Sequence, residues 1–151
     1  MDDAPAAAAP VHPSPLGPLL RGRASVLATV AAGGALGSLG RWGLSQTLLA
    51  RGVGHGFPWP TFTANVLGCL LLGALTVVLA ERRPTSRLLR LFLGVGVLGG
   101  FTTFSTLMLE TRGLWVVGRP GLALGYVGAS LVAGLAAVVA GMRLLRTTGP
   151  A

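Results

Sequence analysis

Apolar residues gather into four long runs, separated by short connections in which arginine, glycine and proline recur. The runs lie at Ser25 to Ala50, Thr61 to Ala80, Leu88 to Leu109 and Leu122 to Leu145, and the first carries a charge well inside it, Arg41. Each reaches the roughly 20 residues that a helix needs to cross a bilayer. The pattern predicts an all-α integral membrane protein with four transmembrane helices joined by short connections. Ahead of them, residues 1–24 are rich in Pro and Ala, hold little that can pack, and read as a disordered tail. Arg21 and Arg23 precede an apolar run as in a signal peptide, but the run is too long and lacks a convincing small-residue cleavage site. The membrane domain is thus expected over residues 25–146, with a short C-terminal tail at 147–151. No repeat at a fixed period divides it.

Composition supports lipid as the solvent. The chain has 151 residues, 52% hydrophobic and 11% charged, with a mean hydropathy of +0.72. Its acids, Asp2, Asp3, Glu81 and Glu110, stand in a tail or near the end of an apolar run, so none is expected at mid-membrane. The net charge of +8 comes entirely from arginine. These arginines fall between apolar runs rather than along one polar face, which favours a membrane surface over nucleic acid as partner. Arg21, Arg23, Arg82, Arg83, Arg87, Arg90, Arg143 and Arg146 would share one side of the membrane, against Arg51, Arg112 and Arg119 on the other, which puts both termini in the cytoplasm. Trp59 and Trp115 fall near span ends, where interfacial rings are favoured.

Glycine occurs inside the runs, as in Gly33, Gly37 and Gly40 and again in Gly121, Gly125 and Gly128. Small residues at such spacing let helix backbones approach closely in lipid. Four short helices enclose little interior, so oligomerisation is expected. The lone Cys69 permits neither an internal disulfide nor a cysteine-based zinc site and reads as a small packing residue.

The polar residues inside the runs are few enough to weigh singly. In the third run, Gly94, Gly96, Gly99 and Gly100 precede Phe101-Thr102-Thr103-Phe104-Ser105-Thr106. Paired glycines beside hydroxyl-bearing, β-branched residues make a poor continuous helix, and a break over Gly99 to Thr102 would free carbonyls suited to a hard cation. The alternative is that these hydroxyls bond back to their own helix and the glycines only pack. Asn65 is the only amide in the middle of a span; it serves either as interhelical glue or, with Thr61 one turn earlier on the same face, as a donor to an anion. Arg41 either snorkels toward headgroups or attracts anions in a vestibule. Tyr126 and Ser130, one turn apart, present two hydroxyls in one direction, unless Tyr126 is an interfacial anchor. No nucleophile with a base, paired carboxylates or ligand cluster has usable spacing, and His12 and His55 lack partners, which argues against an enzyme.

Three segments carry a resemblance. Gly33 to Trp42 (GGALGSLGRW), Pro58 to Gly68 (PWPTFTANVLG) and Gly99 to Thr106 (GGFTTFST) are similar to signatures of the bacterial fluoride channel family, called Fluc or CrcB, in order and at family spacing from about Ser25 to Arg143. The resemblance implies an antiparallel, dual-topology dimer of four-helix subunits with a broken third helix. It implies two fluoride pores, passive export of cytoplasmic fluoride across the bacterial plasma membrane, and a structural sodium ion held by the backbone carbonyls of Gly99 and Thr102. Asn65, Phe104, Tyr126 and Ser130 match its pore residues, Thr61, Ser105 and Thr106 its hydroxyl cluster, and Arg41 its first-helix arginine. Its implied partners are membrane lipid, fluoride and a second channel subunit. Fluoride holds its water strongly, so such a pore must replace that water with amide and hydroxyl donors and the electropositive edges of rings.

One position departs from the family pattern. Phe104-Ser105-Thr106-Leu107 has leucine where a second phenylalanine is common. Together with the arginine asymmetry, which favours one fixed orientation, this points to a heterodimer with an unlike, oppositely oriented subunit. Two other readings are a non-conducting accessory subunit and a proton-coupled four-helix exporter. The exporter would need a carboxylate at depth, which no run offers.

Overall fold

The computed structural model describes residues 23–53, 56–82 and 87–146, except the side chains of 81 and 82, and every regular element among them is helical. The helices are α1 (Ala24–Ala50), α2 (Trp59–Val77), α3 (Arg87–Arg90), α4 (Gly99–Phe101), α5 (Phe104–Val116) and α6 (Pro120–Arg146). A π-helical turn, Val78–Arg82, continues α2, and a π-helix, Leu91–Leu98, joins α3 to α4. The expected tails, His55 and Arg83 lie outside the described residues, apart from Arg23 and Ala24.

The helix ends follow local chemistry. Pro60 and Pro120 occupy first-turn positions of α2 and α6, where a missing N–H costs nothing. α1 and α5 both close with a glycine in the left-handed region, Gly52 (φ 73°) and Gly118 (φ 76°). At each end the glycine N–H and the next one fold back onto carbonyls of the last turn, Gly52 to Leu49 and Val53 to Leu48, Gly118 to Trp115 and Arg119 to Leu114.

Three helical stretches are long and apolar enough to cross a membrane: Trp59–Ala80, Arg87–Val116 and Pro120–Arg146. α1 has the length, at 27 residues, but Arg41, Gln46 and its many small residues leave it short of the same apolarity. Little of the surface that is left outside is polar. The buried hydrophobic set is small, Ala64, Val77, Leu98, Leu107, Ala123, Tyr126 and Ala137, while Phe104, Val116 and Leu135 are all at least 70% exposed. A water-soluble chain would hide such residues; one solvated by lipid has no reason to.

Two helix pairings organise the bundle. α1 lies along residues 91–101, and α2 lies along α6, which also meets α5. Glycine makes both possible: a Cβ on Gly37 would overlap the Val97 carbonyl, and one on Gly73 the Val138 carbonyl. Gly121, Gly125 and Gly128 face nothing within 4 Å, so their smallness is unused within the subunit.

The break falls at the late end of the expected Gly99 to Thr102 stretch. Gly99 and Gly100 remain helical, because Gly100 is pressed against the Gly34 backbone of α1, where a Cβ would collide. The chain instead extends at Thr102 (φ −86°, ψ 154°) and Thr103 (φ −148°, ψ 122°), where β-branched residues are at ease.

Candidate functional site

A break inside an apolar bundle exposes backbone groups that lipid cannot satisfy, and the bonds around residues 98–106 show where they go. The Leu98 carbonyl accepts from the Thr102 N–H at 3.0 Å and from Thr102 Oγ1 at 2.9 Å. The Gly100 carbonyl accepts from Ser38 Oγ and Arg41 Nε, both at 3.4 Å. Asn65 takes both groups of Thr103: Nδ2 donates to its carbonyl at 3.0 Å, and Oδ1 accepts its N–H at 2.8 Å. Thr103 then caps α5, its Oγ1 accepting from the Thr106 N–H and donating to Thr106 Oγ1, with Ser105 Oγ 3.3 Å away. Among the described residues, the carbonyls of Gly99 and Thr102 receive neither a side-chain donor nor a backbone N–H from across the break.

Beside the break is a cavity of about 680 Å³. Its wall is mostly aliphatic, with Cys69, Leu98 and Leu107 among the lining, and its polar points are Asn65, Thr102, Thr103 and Ser130. Ser130 Oγ is buried there without a hydrogen-bond partner among the described residues. Asn65 has a second amide hydrogen beyond the one spent on Thr103. Phe104, 74% exposed, lines the same cavity, as does Leu107, 7% exposed. The first turn of α5 opens beside it, bringing the positive end of a helix to a mostly aliphatic place.

Further along α5, toward the outer end of its span, a carboxylate gathers two hydroxyls. Glu110, expected at the end of a span, is turned into the bundle, where Oε1 accepts from Thr61 Oγ1 and Oε2 from Tyr126 OH, both at 2.7 Å. The span runs on for a further turn and more, to Val116, so the acid lies inside it. One signal was available: Thr61 and Tyr126 lie on two other helices at similar distances from the outer end, and a carboxylate is the acceptor two such hydroxyls need. Thr61 is therefore occupied by Glu110 rather than sharing a path with Asn65. Tyr126 and Ser130, expected to point together, are divided between this cluster and the larger cavity. A smaller cavity of about 320 Å³ is lined by Glu110, Thr61, Thr106, Ser45 and Arg41, so Arg41 spans from the Gly100 carbonyl to this space. Its Nε donates to the carbonyl beside the break.

The structure thus brings Asn65, Thr102, Phe104 and Ser130 to the larger cavity, and Arg41, Thr61 and Thr106 to the smaller. Ser105 adjoins the cap, and Gly99 lines the larger cavity with its carbonyl free.

Comparison with known proteins bears on what this arrangement does. Residues 28–142 match the family described as CrcB-like protein, Camphor Resistance (CrcB). The chain is 50% identical over 120 residues to "Fluoride-specific ion channel FluC 1" of Mycolicibacterium paratuberculosis, an alignment covering 80% of this chain and 89% of that one. It is 45% identical over 144 residues to "Fluoride-specific ion channel FluC 2" of Nocardia farcinica, covering 95% and 97% respectively. With "Fluoride-specific ion channel FluC" of Thermus thermophilus the identity is 51% over 115 residues, covering 76% and 90%. With a match running through all the long helices, the broken one included, the chain is a multi-pass membrane protein that belongs to the CrcB family.

Proposed function

We propose that the chain is a subunit of a fluoride-selective channel that lets cytoplasmic fluoride leave the cell passively, and that it is not an enzyme. The observation that carries this is the break beside the larger cavity. A spare Asn65 amide hydrogen, the Ser130 hydroxyl, unpartnered among the described residues, the Phe104 ring and the first turn of α5 converge on a space whose wall is mostly aliphatic, with Thr102 and Thr103 beside them. All are neutral donors or positive dipole ends, which suit a small, dehydrated anion. The names of the curated relatives agree with that chemistry. α1 would supply the fourth span, its arginine covered by the Gly100 carbonyl rather than exposed to lipid.

The carbonyls on the same stretch of broken helix suit a cation. Among the described residues, the carbonyls of Gly99 and Thr102 are left over at the break, and hard oxygen donors of this kind fit sodium. A sodium ion there would neutralise these carbonyl dipoles and lower the cost of an anion nearby. Two carbonyls are too few for a full shell, so a second subunit would complete it. The unpartnered glycine face of α6 and the exposed Phe104 are where such a subunit would pack. An antiparallel dimer in the plasma membrane meets both needs.

A second reading concerns that partner. Leu107 lines the larger cavity beside Phe104 and offers no ring edge, so a pore using it would lose one aromatic contact. Pairing with an unlike subunit that supplies a phenylalanine would restore one complete pore. The test is fluoride efflux from liposomes, followed with a fluoride electrode, for the chain alone and with a related subunit. Rapid efflux by a monodisperse dimer of the chain alone would remove the heterodimer. Trapped fluoride with every partner would end the channel reading.

A further inference from the structure

The connection between α1 and α2 reaches the Glu110 cluster, and no reading of the pore residues accounts for it. Gly56 holds φ at 90°, a conformation that favours glycine, and the next residue, Phe57, turns back into the bundle. Its ring meets Tyr126 edge to face at 5.2 Å and 83°, with Phe62 at 5.4 Å and Trp59 at 4.7 Å completing its surroundings. Phe57 also lines the smaller cavity with Thr61 and Glu110. Tyr126 is only six residues from the start of α6, where a side chain would ordinarily be half wet, yet it is 0% exposed. Its hydroxyl bond to Glu110 has its full strength only while water stays out, because water competes for both partners.

We propose that Phe57 is a positioning residue. Its ring, set by the Gly56 turn, holds Tyr126 against Glu110 and closes the Thr61–Glu110–Tyr126 cluster to water at the mouth of the smaller cavity. The proposal rests on the channel reading only for its effect on flux; its effect on Tyr126 is independent of it. A phenyl ring offers no hydrogen bond to the cluster, so Phe57 acts through its contact with the tyrosine ring. Loss of one edge-to-face contact and of the seal should lower the rate by about three- to tenfold.

Tyr126 is the chain's only tyrosine, so it can be watched alone. Full-length protein carrying 3-fluorotyrosine, reconstituted in nanodiscs, gives one ring resonance in fluorine NMR. For Phe57→Ala that resonance should move and broaden on addition of a water-soluble paramagnetic agent, while Phe57→Leu, which keeps bulk, stays closer to the parent. Efflux should fall in the same order, and Tyr126→Phe should add little to Phe57→Ala. An unmoved, protected resonance in Phe57→Ala overturns the proposal; should that variant not assemble, the same result in Phe57→Val, which also lacks the ring and most of its bulk, does so. If the resonance responds as expected but Tyr126→Phe conducts like the parent, the positioning role stands and the tyrosine's part in the pore falls.

Discussion

Replacing Asn65 with alanine tests the accounting at the break most directly. The side chain makes two bonds to one residue, at 3.0 Å and 2.8 Å, and no neighbouring side chain is shown bonding the Thr103 backbone in its place. The variant leaves an N–H and a C=O without that partner beside an apolar cavity. An orphaned buried group costs about 1–3 kcal/mol, while interhelical side-chain bonds in membranes average nearer 0.6 kcal/mol, because the separated helices find other partners. Two bonds together should cost about 2–4 kcal/mol, which for a domain of this size lowers the melting midpoint by about 5–15 °C. Phe104→Ala is the control: at 74% exposed the ring is little buried within the subunit, so efflux should fall with a much smaller change in melting. Both variants would be heated in detergent, the monodisperse fraction followed by size exclusion, and the same preparations assayed for fluoride efflux. An Asn65→Ala protein that melts with the parent would refute the clamp and return Asn65 to service as a simple pore donor.

Other outcomes follow from the same geometry. Gly73→Ala should prevent stable assembly, since its Cβ overlaps the Val138 carbonyl on α6, whereas Gly125→Ala should leave the isolated subunit's fold unchanged; size exclusion separates the two. Glu110→Gln keeps an acceptor for one hydroxyl and turns an amide toward the other, and loss of a charge-assisted bond of about 1.5–3 kcal/mol predicts roughly tenfold or slower efflux. Leu107→Phe should raise efflux by the chain alone if the missing ring limits one pore, and an unchanged rate would exonerate Leu107. Exchanging sodium for choline should lower the melting midpoint by several degrees, with recovery on returning sodium; no change across a hundredfold range of sodium would argue against a bound ion, because such a range is worth about 2.7 kcal/mol for a tight site.

How much of this was visible in the chain differs by feature. Three of the four expected spans were legible because long apolar runs have few other uses than crossing lipid; the first run forms a helix of sufficient length, but its Arg41 and small residues leave it less apolar. The broken helix and its neighbourhood were legible from composition, but not that Gly99 and Gly100 stay helical. Glycine pairs loosen a helix when isolated, yet Gly100 is held by α1, and the chain extends instead at Thr102 and Thr103. Asn65 was recognised as unusual, though only the structure decided that its amide holds Thr103. Glu110 was read as lying near a span end, but its partners, Thr61 and Tyr126 on two other helices, could not be read from its own run.

By itself, then, the sequence determined the solvent, the helices and the short inventory of polar residues that an apolar bundle must satisfy. These follow from composition and from the demand that backbone groups in lipid find partners. Tertiary structure decided which partner each group takes: Arg41 for the Gly100 carbonyl, Asn65 for Thr103, Glu110 for two hydroxyls, and no protein group for the carbonyls of Gly99 and Thr102 among the described residues. Those choices depend on distances between helices, and glycine contacts set those distances across residues far apart in the chain.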